Sequence, residues 1–176
     1  DDYFNEVIKK HELTRPDKEE DRKNHVRVSK MNYEPVFFAY PAKKELDEIV
    51  NEIIQSKSEY DFVADDGIRH TFWVVKDDVV IKNICDHISK IPFTYVADGH
   101  HRTAAAALVG KELRAKNKNH TGKEEYNFFL AVHFPDNQLK IFDYNRVVKD
   151  LNGMSKDDFL KKISENFIVE TQNLAS

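Results

Sequence analysis

The segment Phe93 to Leu108, FTYVADGHHRTAAAAL, constrains the fold more than any other part of the chain. An apolar, β-prone run ends abruptly at Asp98-Gly99, and an alanine-rich stretch of high helix propensity begins at once. A buried strand, a tight turn and a helix start are therefore expected in immediate succession. Gly99 suits a positive φ or a close approach of backbone or ligand, and Asp98 is expected to cap the free N–H groups of the first helical turn. The same geometry favours an anion, because unpaired N–H groups and the helix dipole converge where His100, His101 and Arg102 add donors. Phosphate is the natural ligand. Successive helical residues project about 100° apart, so His100 and His101 face different partners, one the ligand and the other the scaffold. Ala104 to Ala107 then let the helix backbone approach its support closely.

The rest of the chain alternates helical and extended patterns. Asp17 to Met31 is charge-dense and reads as a solvated helix starting at Pro16. Pro35 to Tyr40, an aromatic and β-branched run bounded by prolines and ended by Pro41, reads as a strand. Lys43 to Lys57 carries Leu46, Ile49, Val50, Ile53 and Ile54 on one helical stripe. Glu59 to Val63 and Ile68 to Val75, separated by Asp65-Asp66-Gly67, form a hairpin with His70 on its second strand. Val79 to Lys90 is a helix that Pro92 stops, and Cys85 on its apolar stripe is read as a buried, inert thiol. A loop over 118–125 leads to a second expected hairpin, Asn127 to Phe134 with Gln138 to Tyr144, turning at Asp136-Asn137. Ser155 caps a last helix, and the tail after Val169 is read as frayed. This order predicts an α+β domain, a mixed sheet with hairpins and packed helices, over residues 1–152, and the start of a helical segment over 153–176. The chain opens at Asp1 with no methionine and is read as a fragment of a longer protein.

Composition narrows the function. With 33% charged residues and a net charge of −4, the surface offers no bulk positive field for a nucleic-acid backbone, so nucleic acid is not the expected partner. No apolar run approaches the ~20 residues a membrane span needs. A single cysteine fits a reducing cytoplasm. His11-Glu12 is half of a zinc-protease motif, but Arg15 stands where the second histidine is required. The spacing of His11, His70, His100 and His101 carries no zinc signature.

The ADGHHR turn between a strand and an alanine-rich helix resembles the DUF1015 family, a bacterial and archaeal family of unknown function. His11-Glu12-Leu-Thr14, the charged run through Arg22, Gly67-Ile-Arg-His70 with Trp73, and Asn145-Arg146 resemble its other blocks in the same order, over residues 8–152. Thr103 stands where that family usually has an aromatic residue, and Asn145 where a histidine is common. The turn also resembles the phosphate-binding turn of the ParB and sulfiredoxin superfamily, which includes nucleotide-dependent free-serine kinases.

These resemblances imply a nucleotide- or phosphate-binding protein of ParB/sulfiredoxin-like fold. The activity they imply is phosphoryl transfer from ATP or ADP to a small hydroxylated metabolite such as serine. Gly99, His100, His101, Arg102 and Thr103 would hold the phosphates. Asp98 would sit near a Mg²⁺ ion or the acceptor hydroxyl, and Glu12 would orient or deprotonate that hydroxyl, with His101 as a further catalytic group. His11, Arg22, His70 and Arg146 are the candidate substrate contacts. The same cradle would also serve a non-catalytic regulatory module or a phosphoester hydrolase.

Overall fold

The computed structural model describes residues 2–170. The reading of a frayed tail falls mainly on residues 171–176, which lie outside them. The described residues divide into two compact units, one up to Lys140 and one from Ile141 onward.

The first unit is built on a four-stranded mixed sheet. Its strands are β1 (Ile8–Lys9), β2 (Val36–Tyr40), β5 (Thr94–Asp98) and β6 (Ala131–Pro135), in the order β1-β5-β2-β6. β1 runs parallel to β5, β2 runs antiparallel to β5, and β6 runs parallel to β2. Alternation along β2 turns Val36, Phe38 and Tyr40 inward, as the period of two requires. Ile8, Val36, Phe38 and Val96 form one core, closed by Phe129 and Ala131.

Helices α1 (Pro16–Ser29), α2 (Lys44–Ile53), α3 (Asp78–Ile88) and α4 (His100–Lys116) complete the unit, with a two-stranded hairpin of β3 (Tyr60–Val63) and β4 (Arg69–Phe72). α4 packs on α1 and β2 through a surface of small residues, and Thr103, Ala104 and Ala105 are completely buried. Arg27 on α1 clamps Glu112 on α4 with two bonds, Nε at 3.0 Å and Nη2 at 2.7 Å. Gly110 is where the loop after α4 comes closest: a Cβ there would lie 2.5 Å from the Tyr126 carbonyl oxygen. A second core gathers Tyr40, Leu46 and Ile91 against Ile84 and Ile88 of α3.

The α+β class and the alternation of elements agree with the sequence. Two expectations are corrected. Residues 138–144 make no second hairpin strand. β6 pairs in parallel with β2, and the Asp136-Asn137 segment forms a short 3-10 turn whose Asp136 carboxylate accepts the Ala42 N–H at 2.9 Å. Cys85 is exposed. The preceding residue, Ile84, faces the core, and one step along a helix turns Cys85 about 100° away from it.

In the second unit, α5 (Lys156–Ser164) starts at Ser155, whose hydroxyl accepts the Asp158 N–H at 3.1 Å, as the sequence predicts. Among the described residues, no helix is long and apolar enough to cross a membrane.

Candidate functional site at the start of helix α4

β5 delivers Asp98 and Gly99 to the first turn of α4 without an intervening loop. Gly99 is the N-cap, at φ +96°, a conformation that a side chain disfavours. A Cβ at Gly99 would also meet Val36 Cγ1 at 3.0 Å and Arg102 Nη2 at 3.1 Å. Asp98 does not cap the helix, contrary to expectation. Among the described residues no side chain caps the first-turn N–H groups, and the Asp98 carboxylate instead lies 3.4 Å from Arg102 Nη2, one turn along. Asp98 is the last residue of a strand paired to β2, so its side chain is committed by the sheet before the helix begins. The N-terminus of a 17-residue helix is thus left without a side-chain cap.

The two histidines divide as their angular separation demands. His100 is buried, and its Nε2 has no hydrogen-bond partner among the described residues. Burial, reinforced by the neighbouring His11, pulls its imidazole below the usual histidine range, against the opposing pull of Glu12 and Asp98. His101 stays half exposed. Thr103 is completely buried, and its hydroxyl donates to the Gly99 carbonyl at 2.9 Å, fastening the turn from beneath.

The segment His11 to Arg15, between β1 and α1, crosses this helix start. The His11 ring sits edge-on to His100 with centroids 4.4 Å apart. Glu12 Oε2 is 3.7 Å from His100 Nδ1, and the Arg15 N–H donates to His101 Nε2 at 3.1 Å. β1 places this segment there by pairing with β5, Ile8 opposite Thr94. Residues far apart in sequence, Glu12, His100 and His101, therefore meet at one helix start, His100 beneath the surface and Glu12 exposed on it.

Arg102 is engaged by the protein itself. Its Nη1 donates to Glu34 at 2.9 Å and its Nη2 to the Pro35 carbonyl at 3.3 Å, which staples α4 to the entry of β2. Arg22 stands beside a crevice shared with Arg102, large enough for about one water at roughly 20 Å³. Its Nη1 donates to the Tyr33 hydroxyl at 2.7 Å. His70 lies on the β3–β4 hairpin, stacked on Phe62. Arg146 belongs to the second unit and lies over the Tyr144 ring. Two wide clefts flank the middle of α4, well past its first turn. One, of about 690 Å³, is lined by Tyr3, Phe4, Lys111 and Tyr126, and the other, of about 850 Å³, by Lys30, Leu113 and Phe128. Among the described residues no group of three or more His, Cys, Asp or Glu side chains could hold a metal.

A family model described as a protein of unknown function, DUF1015, matches residues 1–175. The chain belongs to this family. The DUF1015 match takes in both units and extends beyond the 8–152 span that the motif blocks cover. No curated protein and no solved structure matches the chain.

Two residues at the site carry no functional signal in the sequence. Arg15 meets His101 through its backbone N–H, which no residue type announces. Glu34 becomes visible as the partner of Arg102 only once β2 and β5 are known to be neighbours.

Proposed function

We propose that the start of α4 binds a phosphoryl group of ATP or ADP, and that the protein transfers it to a small hydroxylated metabolite such as serine. The observation that carries this reading is the uncapped N-terminus of α4 beside the buried, unpartnered His100 nitrogen and the exposed Glu12 carboxylate. An uncapped helix start presents aligned N–H donors and the positive end of the dipole, the recurring solution for phosphate binding.

The roles follow from position. The first-turn N–H groups and His101 hold the phosphate oxygens and stabilise the charge that grows on them during transfer. Glu12 takes the proton of the acceptor hydroxyl as its oxygen bonds to phosphorus and the bond to the departing phosphate breaks. Asp98 is exposed and can join phosphate oxygens around a Mg²⁺ ion, which would neutralise charge between the phosphates. The Arg102 guanidinium, bound to Glu34 and Asp98, shapes the turn.

Calorimetric titration with ADP, ATP and phosphoserine tests the binding half. His101→Ala should weaken nucleotide affinity by about tenfold, the loss of a charge-assisted hydrogen bond. Glu12→Gln should keep that affinity and abolish transfer of labelled phosphate to serine; an unchanged transfer rate removes Glu12 from the mechanism. Labelled inorganic phosphate appearing without phosphoserine would point to hydrolysis instead.

A further inference from the structure

We propose that Arg15 is a positioning residue that works through its backbone N–H. It holds His101 in the tautomer with the proton on Nδ1, so that the ring donates from that atom to a phosphate at the start of α4. The ligand in this statement rests on the phosphate-binding reading above, whereas the tautomer does not.

A backbone N–H can only donate. Its 3.1 Å contact with His101 Nε2 therefore requires a lone pair on that nitrogen, and a neutral imidazole then carries its proton on Nδ1. Free histidine prefers the opposite arrangement, so the contact decides the outcome. The donor is itself immobilised. Arg15 is the N-cap of α1 at φ −79°, ψ 129°, its carbonyl accepts the Glu19 N–H at 2.9 Å, and Pro16 behind it restricts it to extended backbone. The acceptor is carried by α4, and the Arg27–Glu112 clamp ties the two helices together. Rotating the ring would break the bond, leaving Arg15 without its acceptor. Nδ1 is bonded to the ring carbon that bears the side-chain stem and is thus the ring nitrogen nearer the His101 backbone, in the first turn of α4.

The tautomer is read directly by two-dimensional ¹⁵N NMR on histidine-labelled protein, the His101 signals being those lost in His101→Gln. Protonated Nδ1 and unprotonated Nε2 are expected, and the reverse pattern overturns the proposal. A pair of variants then isolates the N–H. The backbone angles of Arg15 suit proline, so Arg15→Pro deletes the donor with little strain, while Arg15→Ala loses the same guanidinium and keeps the donor. Arg15→Ala should retain the Nδ1–H form, and Arg15→Pro should shift His101 toward Nε2–H. ADP should bind Arg15→Pro about three- to tenfold more weakly than Arg15→Ala, and equal affinities would overturn the donor role of Nδ1. Wild-type protein with the Nδ1–H tautomer that binds neither ADP nor ATP would overturn the ligand half together with the phosphate reading. Wild-type protein that binds ADP with the Nε2–H tautomer would overturn the role of Arg15 alone.

Discussion

Gly99→Ala bears on both the shape of the α4 cradle and the way the sheet supports it. At φ +96° an alanine is strained by about 1–2 kcal/mol relative to glycine. The new methyl group would lie 3.0 Å from Val36 Cγ1 and 3.1 Å from Arg102 Nη2. The guanidinium end can swing aside. Val36 is 2% exposed and held in a strand between β5 and β6, so it cannot, and overpacking of that kind costs about 1–3 kcal/mol. Against these stands a gain of about 0.4–1 kcal/mol from a stiffer unfolded chain. The net expectation is a loss of about 1–4.5 kcal/mol, read as a lower urea midpoint with an unchanged slope by far-ultraviolet circular dichroism. Val36→Ala removes the contacted atom, so the increment caused by Gly99→Ala should be about 1 kcal/mol smaller in that background. A loss below about 0.5 kcal/mol in the wild-type background, or identical increments in the two backgrounds, would refute the account of the turn.

Gly110→Ala should also destabilise, although alanine gains about 1 kcal/mol over glycine within a helix, because its Cβ would press to 2.5 Å from the Tyr126 carbonyl; a raised urea midpoint would show that the loop yields freely. Lowering the pH from 7 to 5 should cost stability through His100. Burial depresses its folded-state value, so below about 6.5 the unfolded chain takes up a proton that the native imidazole resists; the pH slope of the urea midpoint should be shallower in His100→Gln, and equal slopes would contradict it. The Arg27–Glu112 clamp is partly exposed, so the gap in melting temperature between wild type and Arg27→Met should narrow as salt rises, and a salt-independent gap would assign the effect to packing.

Local chemistry made much of this structure legible from sequence. Apolar alternation marked β2, Pro16 marked the start of α1, Ser155 marked the cap of α5, and Asp98-Gly99 marked the junction of β5 with α4. Each of these signals acts over a few residues, and no distant element overrides it. The second hairpin failed because the pattern of residues 127–144 specifies extended chain but not its partner. β6 found an open edge at β2, and Asp136 bonded across to Ala42. The cap expected from Asp98 failed for a similar reason, since sheet pairing had already oriented a side chain that turn chemistry alone would have folded back. His11 and Glu12 were singled out as motif residues, but their place beside His100 depends on β1 lying against β5, a pairing between segments separated by most of the unit.

That sheet has a kinetic corollary. None of its three pairings joins strands adjacent in the chain: β1 waits for β5, β5 closes on β2 across two helices and a hairpin, and β6 returns to β2 last in sequence. Helices and the β3–β4 hairpin can form from local contacts, whereas each sheet pairing must first close a long loop, which places this topology among the slower folders. The cluster of Glu12, His100 and His101 does not exist until β1 has docked. During refolding, recovery of a ligand-binding signal should therefore lag behind recovery of helical circular dichroism.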